Sequence, residues 1–271
     1  MNLMMIVNEP QIAHYVVGHG VDRIFVDIES LGKMERQGHR DTWLSRHTMD
    51  DVSQVREAIG SATLLVRLNP WHEGSATEIE EAIARGADIL MLPMFRTLEE
   101  VVGFTKLVRE RVPVIPLAET AESMAILPEV ARTPGVTEVY IGLNDLHLSL
   151  KQRFMFEPLA NGMLDQAAEQ LHAAGVPFGF GGLARVGEGM LPAERIIAEH
   201  VRLGSTCAIL SRTFHRQASD LGMLLAEMDF PQEVVRLRAA AADAGRADAA
   251  ELEQNRHEVK RIVAQIVNEM T

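Results

Sequence analysis

An α/β fold, specifically a (β/α)8 TIM barrel with a C-terminal helical extension, is the architecture this chain predicts. Three observations predict it. Eight short apolar runs alternate with helical patterns within the first 220 or so residues. A glycine follows most of the helical patterns, as a stop residue should. Polar and glycine residues cluster at the C-terminal ends of the runs, although the runs themselves are nearly all apolar.

In order, the strand candidates are Leu3–Val7, Arg23–Ile28, Thr63–Leu68, Asp88–Leu92, Val112–Ala118, Glu138–Ile141, Val176–Phe180 and Thr206–Leu210. Between them the apolar spacing predicts helices over Pro10–Val17, Met49–Ile59, Ser75–Ala84, Leu98–Val108, Thr120–Arg132, Met163–Ala173 and Pro192–Arg202. Gly18, Gly60, Gly86, Gly175 and Gly204 close five of these. A doubly wound sheet is the structural rival, but the turn after the first strand, Asn8-Glu9-Pro10, lacks the glycines such a sheet uses there. After the eighth strand, Leu221, Leu224, Leu225 and Met228 share a face expected to be the barrel's eighth helix. The barrel domain is therefore set at 1–230 and the helical extension at 231–271. In the extension, Leu252, Val259, Ile262, Val263, Ile266 and Val267 line one helical face. Such a stripe needs a cover. Packing against a second subunit is favoured over folding back on the chain's own barrel.

Composition removes several classes. Hydrophobic residues make up 47% of 271, enough for a sizeable core. A net charge of −12 and a pI near 5.3 argue against nucleic acid or an anionic membrane as partner. The single cysteine, Cys207, excludes an internal disulfide framework and reads as an inert core residue. No secretory h-region and no membrane-spanning run is visible, so a soluble cytoplasmic protein is expected. The histidines show no metal-site spacing, and there is no Walker loop, GxSxG or dinucleotide loop.

The chemistry concentrates between Val112 and Leu150. Two apolar runs there end on carboxylates, Glu119 and Asp145, with a helical stretch between them. On neighbouring parallel strands these acids meet at the C-terminal face, where ligands bind. They suit a hard divalent cation, though either alone would serve as a helix cap. Arg67 ends an apolar strand, so its guanidinium is expected in the mouth, where a carboxylate or enolate is its natural partner. The loop after the second strand, 30–48, is long and carries Lys33, Arg36, Gln37, His39, Arg40, Arg46 and His47. Gly-Phe-Gly-Gly at 179–182 suggests close approach by a ligand, or only a tight strand-to-loop turn.

Several stretches resemble the pyruvate-dependent class II aldolases grouped with the citrate lyase β-subunit. They are Val21-Asp22-Arg23-Ile24-Phe25-Val26-Asp27-Ile28-Glu29, Leu65-Val66-Arg67-Leu68-Asn69-Pro70, Gly86-Ala87-Asp88-Ile89-Leu90-Met91-Leu92-Pro93-Met94, Ala118-Glu119-Thr120 and Ile141-Gly142-Leu143-Asn144-Asp145-Leu146. The similarity spans roughly residues 1–215. It implies Mg2+ or Mn2+, or another divalent ion, held by Glu119 and Asp145, with pyruvate as the 2-oxo acid and an aldehyde as second reactant. Arg67 would stabilise the enolate. Gly142 and the backbone N–H groups of Asn144 and Asp145 would hold the substrate carboxylate. Homo-oligomers are expected by the same resemblance. The chain departs from the family at Ser30, where the aldolases carry a histidine for proton transfer, and at Leu117 and Leu143. His39 or His47, on the long loop, is the candidate replacement base. A metal-dependent carbon–carbon lyase is the expected function. A CoA-thioester lyase, using the loop cations for the CoA phosphates, and a non-catalytic metal-binding barrel are the alternatives.

Overall fold

The computed structural model describes residues 1–32, 47–215 and 218–270. Eight parallel strands close into one barrel in sequence order: β1 (Asn2–Ile6), β2 (Arg23–Asp27), β3 (Thr63–Arg67), β4 (Ile89–Leu92), β5 (Val114–Ala118), β6 (Val139–Ile141), β7 (Phe178–Leu183) and β8 (Cys207–Leu210). The predicted (β/α)8 barrel is what the chain forms. Among the described residues no helix is long and apolar enough to cross a membrane.

Strand alternation sorts the core into two shells. Met4, Phe25, Leu65, Met91, Leu117 and Tyr140 fill the barrel's interior. Leu3, Ile24, Leu64, Leu90 and Phe178 face outward, under the helices. The lower end of the interior is polar: Arg23 Nη1 donates to both Glu138 oxygens, at 3.0 and 2.9 Å, and Cys207 Sγ donates to Glu138 at 2.8 Å. Burial and the Glu138 carboxylate push the Cys207 thiol up, so it stays protonated and unreactive. Ligands of barrels of this class bind at the opposite, C-terminal face.

Packing and backbone conformation account for the first two glycines of the 179–182 stretch. A Cβ on Gly179 would lie 2.3 Å from Cys207 Sγ and 2.6 Å from Tyr140 Cε2. Gly181 has φ +56 and presents its carbonyl to the Tyr140 hydroxyl. Strand β7 runs on to Leu183, three residues past the predicted end, because glycine pairs in a ladder even where it signals a turn.

Most helices lie where the pattern puts them. The stretch Thr120–Arg132 does not form one helix. It gives α5 (Ala121–Ala125) and α6 (Leu127–Ala131), separated at Ile126, with Pro128 in the first turn of the second. Proline has no N–H to continue the first ladder, and its ring would meet the preceding turn. Helix α7 (Leu143–Ser149) was not anticipated, being too short to show a period.

The C-terminal part departs further. The expected eighth helix is seven residues long (α11, Leu221–Glu227), and of its residues only Leu224 is buried. The following helix, α12 (Phe230–Ala244), supplies Phe230, Val234 and Leu237 to the barrel's outer core. The last helix, α13 (Ala249–Glu269), packs against α10 (Ala193–Leu203) of the same chain. Asn255 fixes that contact: its amide donates to Arg195 O (3.1 Å) and Glu199 Oε1 (2.9 Å) and accepts from Arg195 Nη1 (3.2 Å). Val259, Val263 and Ile266 are buried beside it, while Leu252, Ile262 and Val267 are half-buried. Part of the apolar stripe expected to meet a second subunit is thus covered by the chain's own barrel.

Helix α10 also carries His200, buried and stacked on Phe180 with ring centres 3.8 Å apart, its Nδ1 2.8 Å from Ser205 Oγ. Burial lowers its pKa from 6.5 to about 3. The unfolded chain then binds the extra proton between those two values, so this stability is complete above pH 6.5 and is lost as pH falls toward 3. By pH 5 the loss from this one group is about 2 kcal/mol. The His200→Gln variant is expected to lose less stability than wild type between pH 7 and 5, as read by urea midpoints.

Candidate active site

Counting by two along each strand from the interior core leads into the mouth. Phe25 is followed by Asp27, Leu65 by Arg67, Leu117 by Glu119, Tyr140 by Gly142 and Ile209 by Ser211. The same alternation that packs the barrel therefore delivers a ring of polar groups over its top.

Arg67 and Asp27 lie opposite each other in the β2–β3 register and form a two-point pair, Nε to Oδ1 at 2.8 Å and Nη2 to Oδ2 at 2.7 Å. Glu29 Oε2 is 3.4 Å from Nη2, and the guanidinium lies over the Phe25 ring at 5.5 Å. Burial works against the Arg67 charge, but Asp27 and Glu29 more than offset it and hold the group cationic. The fork is thus fixed before a ligand arrives.

Glu119 stands at the end of β5 and is buried, 3% exposed. Its Oε1 accepts the amide of Met94 at 3.1 Å. Met94 has φ +54, a left-handed conformation uncommon outside glycine, and this aims its N–H at the carboxylate. Burial pushes the Glu119 pKa well up, the Asp145 charge pushes it further, Arg67 opposes, and Glu29 adds to the rise. Asp145 sits in the first turn of α7, whose first helical bond runs from Leu146 N to Gly142 O at 3.0 Å. The amides of Leu143, Asn144 and Asp145 precede that bond, at the end of the helix where anions are favoured. Gly142 makes the close approach possible: a Cβ there would lie 2.9 Å from Glu119 Oε2, 3.0 Å from Glu119 Cβ and 3.1 Å from Leu117 Cδ1. The Gly142→Ala variant is expected to fold but to displace Glu119, lowering Mn2+ affinity at least about tenfold in a calorimetric titration. An unchanged affinity would separate Gly142 from the site.

The residues fit a divalent cation. Asp27, Glu29, Glu119 and Asp145 put four carboxylates around the mouth, and Arg67 offsets only part of their charge. Among the described residues no group of three or more His, Cys, Asp or Glu could hold a metal ion. Two carboxylates, with water and substrate oxygens completing the shell, is the pattern Mg2+ uses.

The candidate bases part company. His47 is brought to β2, where its Nδ1 accepts the Asp27 amide at 3.0 Å. That bond engages the Nδ1 lone pair, so His47 could take a proton there only by giving up the Asp27 amide. His39, with Lys33, Arg36, Gln37, Arg40 and Arg46, lies outside the described residues. The start of the long loop is pinned by Asn69, whose Oδ1 accepts from Ser30 N (2.8 Å) and Leu31 N (2.9 Å). Ser30, which stands where aldolases have histidine, points its hydroxyl at the same oxygen at 3.3 Å.

A family model described as HpcH/HpaI aldolase/citrate lyase matches residues 2–200. The chain belongs to that family. Among solved structures it is similar to a family member from Burkholderia cenocepacia J2315, at TM-score 0.62 and 16% identity over 84% of this chain and 95% of the other. The citrate lyase β subunit from M. tuberculosis, complexed with oxaloacetate and magnesium, gives TM-score 0.58 and 15% identity, with 90% and 96% covered. The CitE protein of the same organism, complexed with magnesium and pyruvate, gives TM-score 0.58 and 15% identity over 96% and 97%. At these identities the likeness is one of fold. A search of curated proteins finds no match to the chain.

Proposed function

We propose that this family member is a divalent-metal-dependent carbon–carbon lyase that cleaves or forms a 2-oxo acid by way of a pyruvate enolate. The observation that carries the reading is the meeting of the Glu119–Asp145 carboxylates with a fixed Arg67 fork at one barrel mouth. Mg2+ or Mn2+ is the implied cofactor, as relatives of this fold are complexed with magnesium and oxaloacetate or pyruvate. When bound, the ion would act as a Lewis acid toward the keto oxygen.

The chain's own groups account for the rest. Glu119 and Asp145 would hold the ion. Asp27 commits Nε and Nη2 of Arg67, leaving Nη1 for the oxygen that gains charge as the enolate forms. The amides opening α7 would take the substrate carboxylate, with Gly142 giving the room. The hydrophobic interior below the mouth closes the site to water from beneath. The test is exchange of pyruvate's methyl protons for deuterium, followed by NMR. Exchange that needs Mg2+ and stops with EDTA is expected. A non-catalytic binding barrel, the reading to which the engaged His47 lends weight, would show none.

A further inference from the structure

Strands β2 and β3 stay fastened to each other past their own ends. Ile28 N donates to Arg67 O at 3.0 Å, one step beyond the strands. In a continuing parallel ladder Ser30 N would next donate to the main-chain oxygen of Asn69. The Asn69 side chain takes that place, its Oδ1 accepting Ser30 N at 2.8 Å and Leu31 N at 2.9 Å, and the residue is buried. Glu29 therefore lies between two residues that are both tied to the end of β3. Its N–H donates to Asp27 Oδ1 at 3.2 Å, and its Oε2 lies 3.4 Å from Arg67 Nη2.

A primary amide serves as this anchor only if its oxygen, not its nitrogen, faces Ser30. Glu78 decides that. It stands in the first turn of α3 (Ser75–Ala84), a helix with no side-chain cap at its N-terminus. A carboxylate in a first turn ordinarily serves the helix's own amides. Glu78 turns both oxygens to Asn69 instead: Oε1 accepts Asn69 Nδ2, and Oε2 accepts Asn69 N at 3.3 Å. A carboxylate only accepts, so Nδ2 faces Glu78 and Oδ1 is left for Ser30 and Leu31. His72 closes the arrangement from behind, its Nδ1 accepting Gly74 N at 3.0 Å and its Nε2 3.4 Å from Glu78 Oε2. A Cβ on Gly74 would stand 2.7 Å from that ring, so the glycine makes room for it.

We propose that Asn69 and Glu78 are a positioning pair for the enolate chemistry: Glu78 orients the Asn69 amide, and Asn69 holds the end of β2 so that Glu29 stays against Arg67. This rests on the lyase reading above. Neither residue reaches the reacting atoms. Their effect passes through Glu29, which with Asp27 sets where the guanidinium points.

The test uses the polarity of the Asn69–Glu78 bond. Glu78→Gln sets an NH2 group against one of the two Asn69 donors, and Asn69→Asp sets one carboxylate against another. Each alone is expected to slow Mg2+-dependent methyl exchange of pyruvate at least about tenfold, with the pyruvate KM changed less than about threefold. Together the two substitutions swap donor for acceptor. The glutamine amide then donates to the aspartate, whose other oxygen still accepts Ser30 N and Leu31 N. The double variant should recover exchange to within about threefold of wild type. A role in folding alone would lower the thermal midpoints and leave exchange by the folded single variants unchanged, and that result overturns the proposal. So does a double variant no faster than the slower single. The Arg67 Nε–H signal in 15N NMR reads the same positioning without turnover: it should shift in both single variants and return in the double. A wild type that exchanges no methyl protons would sink the lyase reading, and the Arg67 signal would still decide this one. If that signal does not move in either single variant, the pair does not position Arg67.

Discussion

Glu119→Gln is expected to lose divalent-ion binding, on the order of 100-fold or more in affinity, while the barrel remains folded. The replacement keeps the size of the side chain and can still accept the Met94 amide, so the left-handed turn at Met94 loses no partner. What disappears is a hard anionic oxygen. The buried position is costly for the charged form, and the Asp145 charge adds to that cost. The neutral variant should therefore be at least as stable as wild type when metal is absent, and less stable than wild type when metal is saturating. Thermal midpoints with and without Mn2+ measure both signs at once. Asp145→Asn should show the same loss of binding. Unchanged affinity in both variants would remove the pair as ligands.

Arg67→Lys is expected to cut turnover by about 10²–10³, with Mn2+ affinity retained. An ammonium keeps the charge but reaches Asp27 at one point instead of two, and the third guanidinium nitrogen is gone. Asp27 is fully buried, so a charge-neutral replacement such as Arg67→Met would strand it at a cost of about 3–5 kcal/mol. Lysine avoids that, and the kinetic loss can then be assigned to the enolate oxygen rather than to unfolding. Steady-state kinetics with pyruvate and an aldehyde, alongside the exchange rate, would measure it. Near wild-type exchange by the lysine variant would take Arg67 out of the mechanism.

The barrel was legible because a buried parallel strand is a run of apolar residues and a covering helix has a 3.6 period, and both signals are local. Glu119, Asp145 and Arg67 were legible for a related reason: a charged residue that ends an apolar strand stands out. Asp27 could have been placed by the same arithmetic, two positions beyond the interior Phe25, but its bidentate grip on Arg67 joins positions forty residues apart. The Met94 conformation left no mark in the sequence, since a left-handed φ is announced only when glycine adopts it. The glycines at 179–182 were ambiguous, because room for Tyr140 and room for a ligand ask for the same residue. In the tail, an apolar stripe says only that something covers it. Asn255, a polar residue amid that stripe, was the clue to a specific partner on α10.

The central claim, that the ion sits between Glu119 and Asp145 with a 2-oxo acid beneath Arg67, is tested most directly by anomalous diffraction from crystals grown with Mn2+ and pyruvate. One manganese peak beside those two carboxylates, with pyruvate against Arg67, is the expected result. A peak at Asp27 and Glu29 instead, or pyruvate bound away from Arg67, would contradict it.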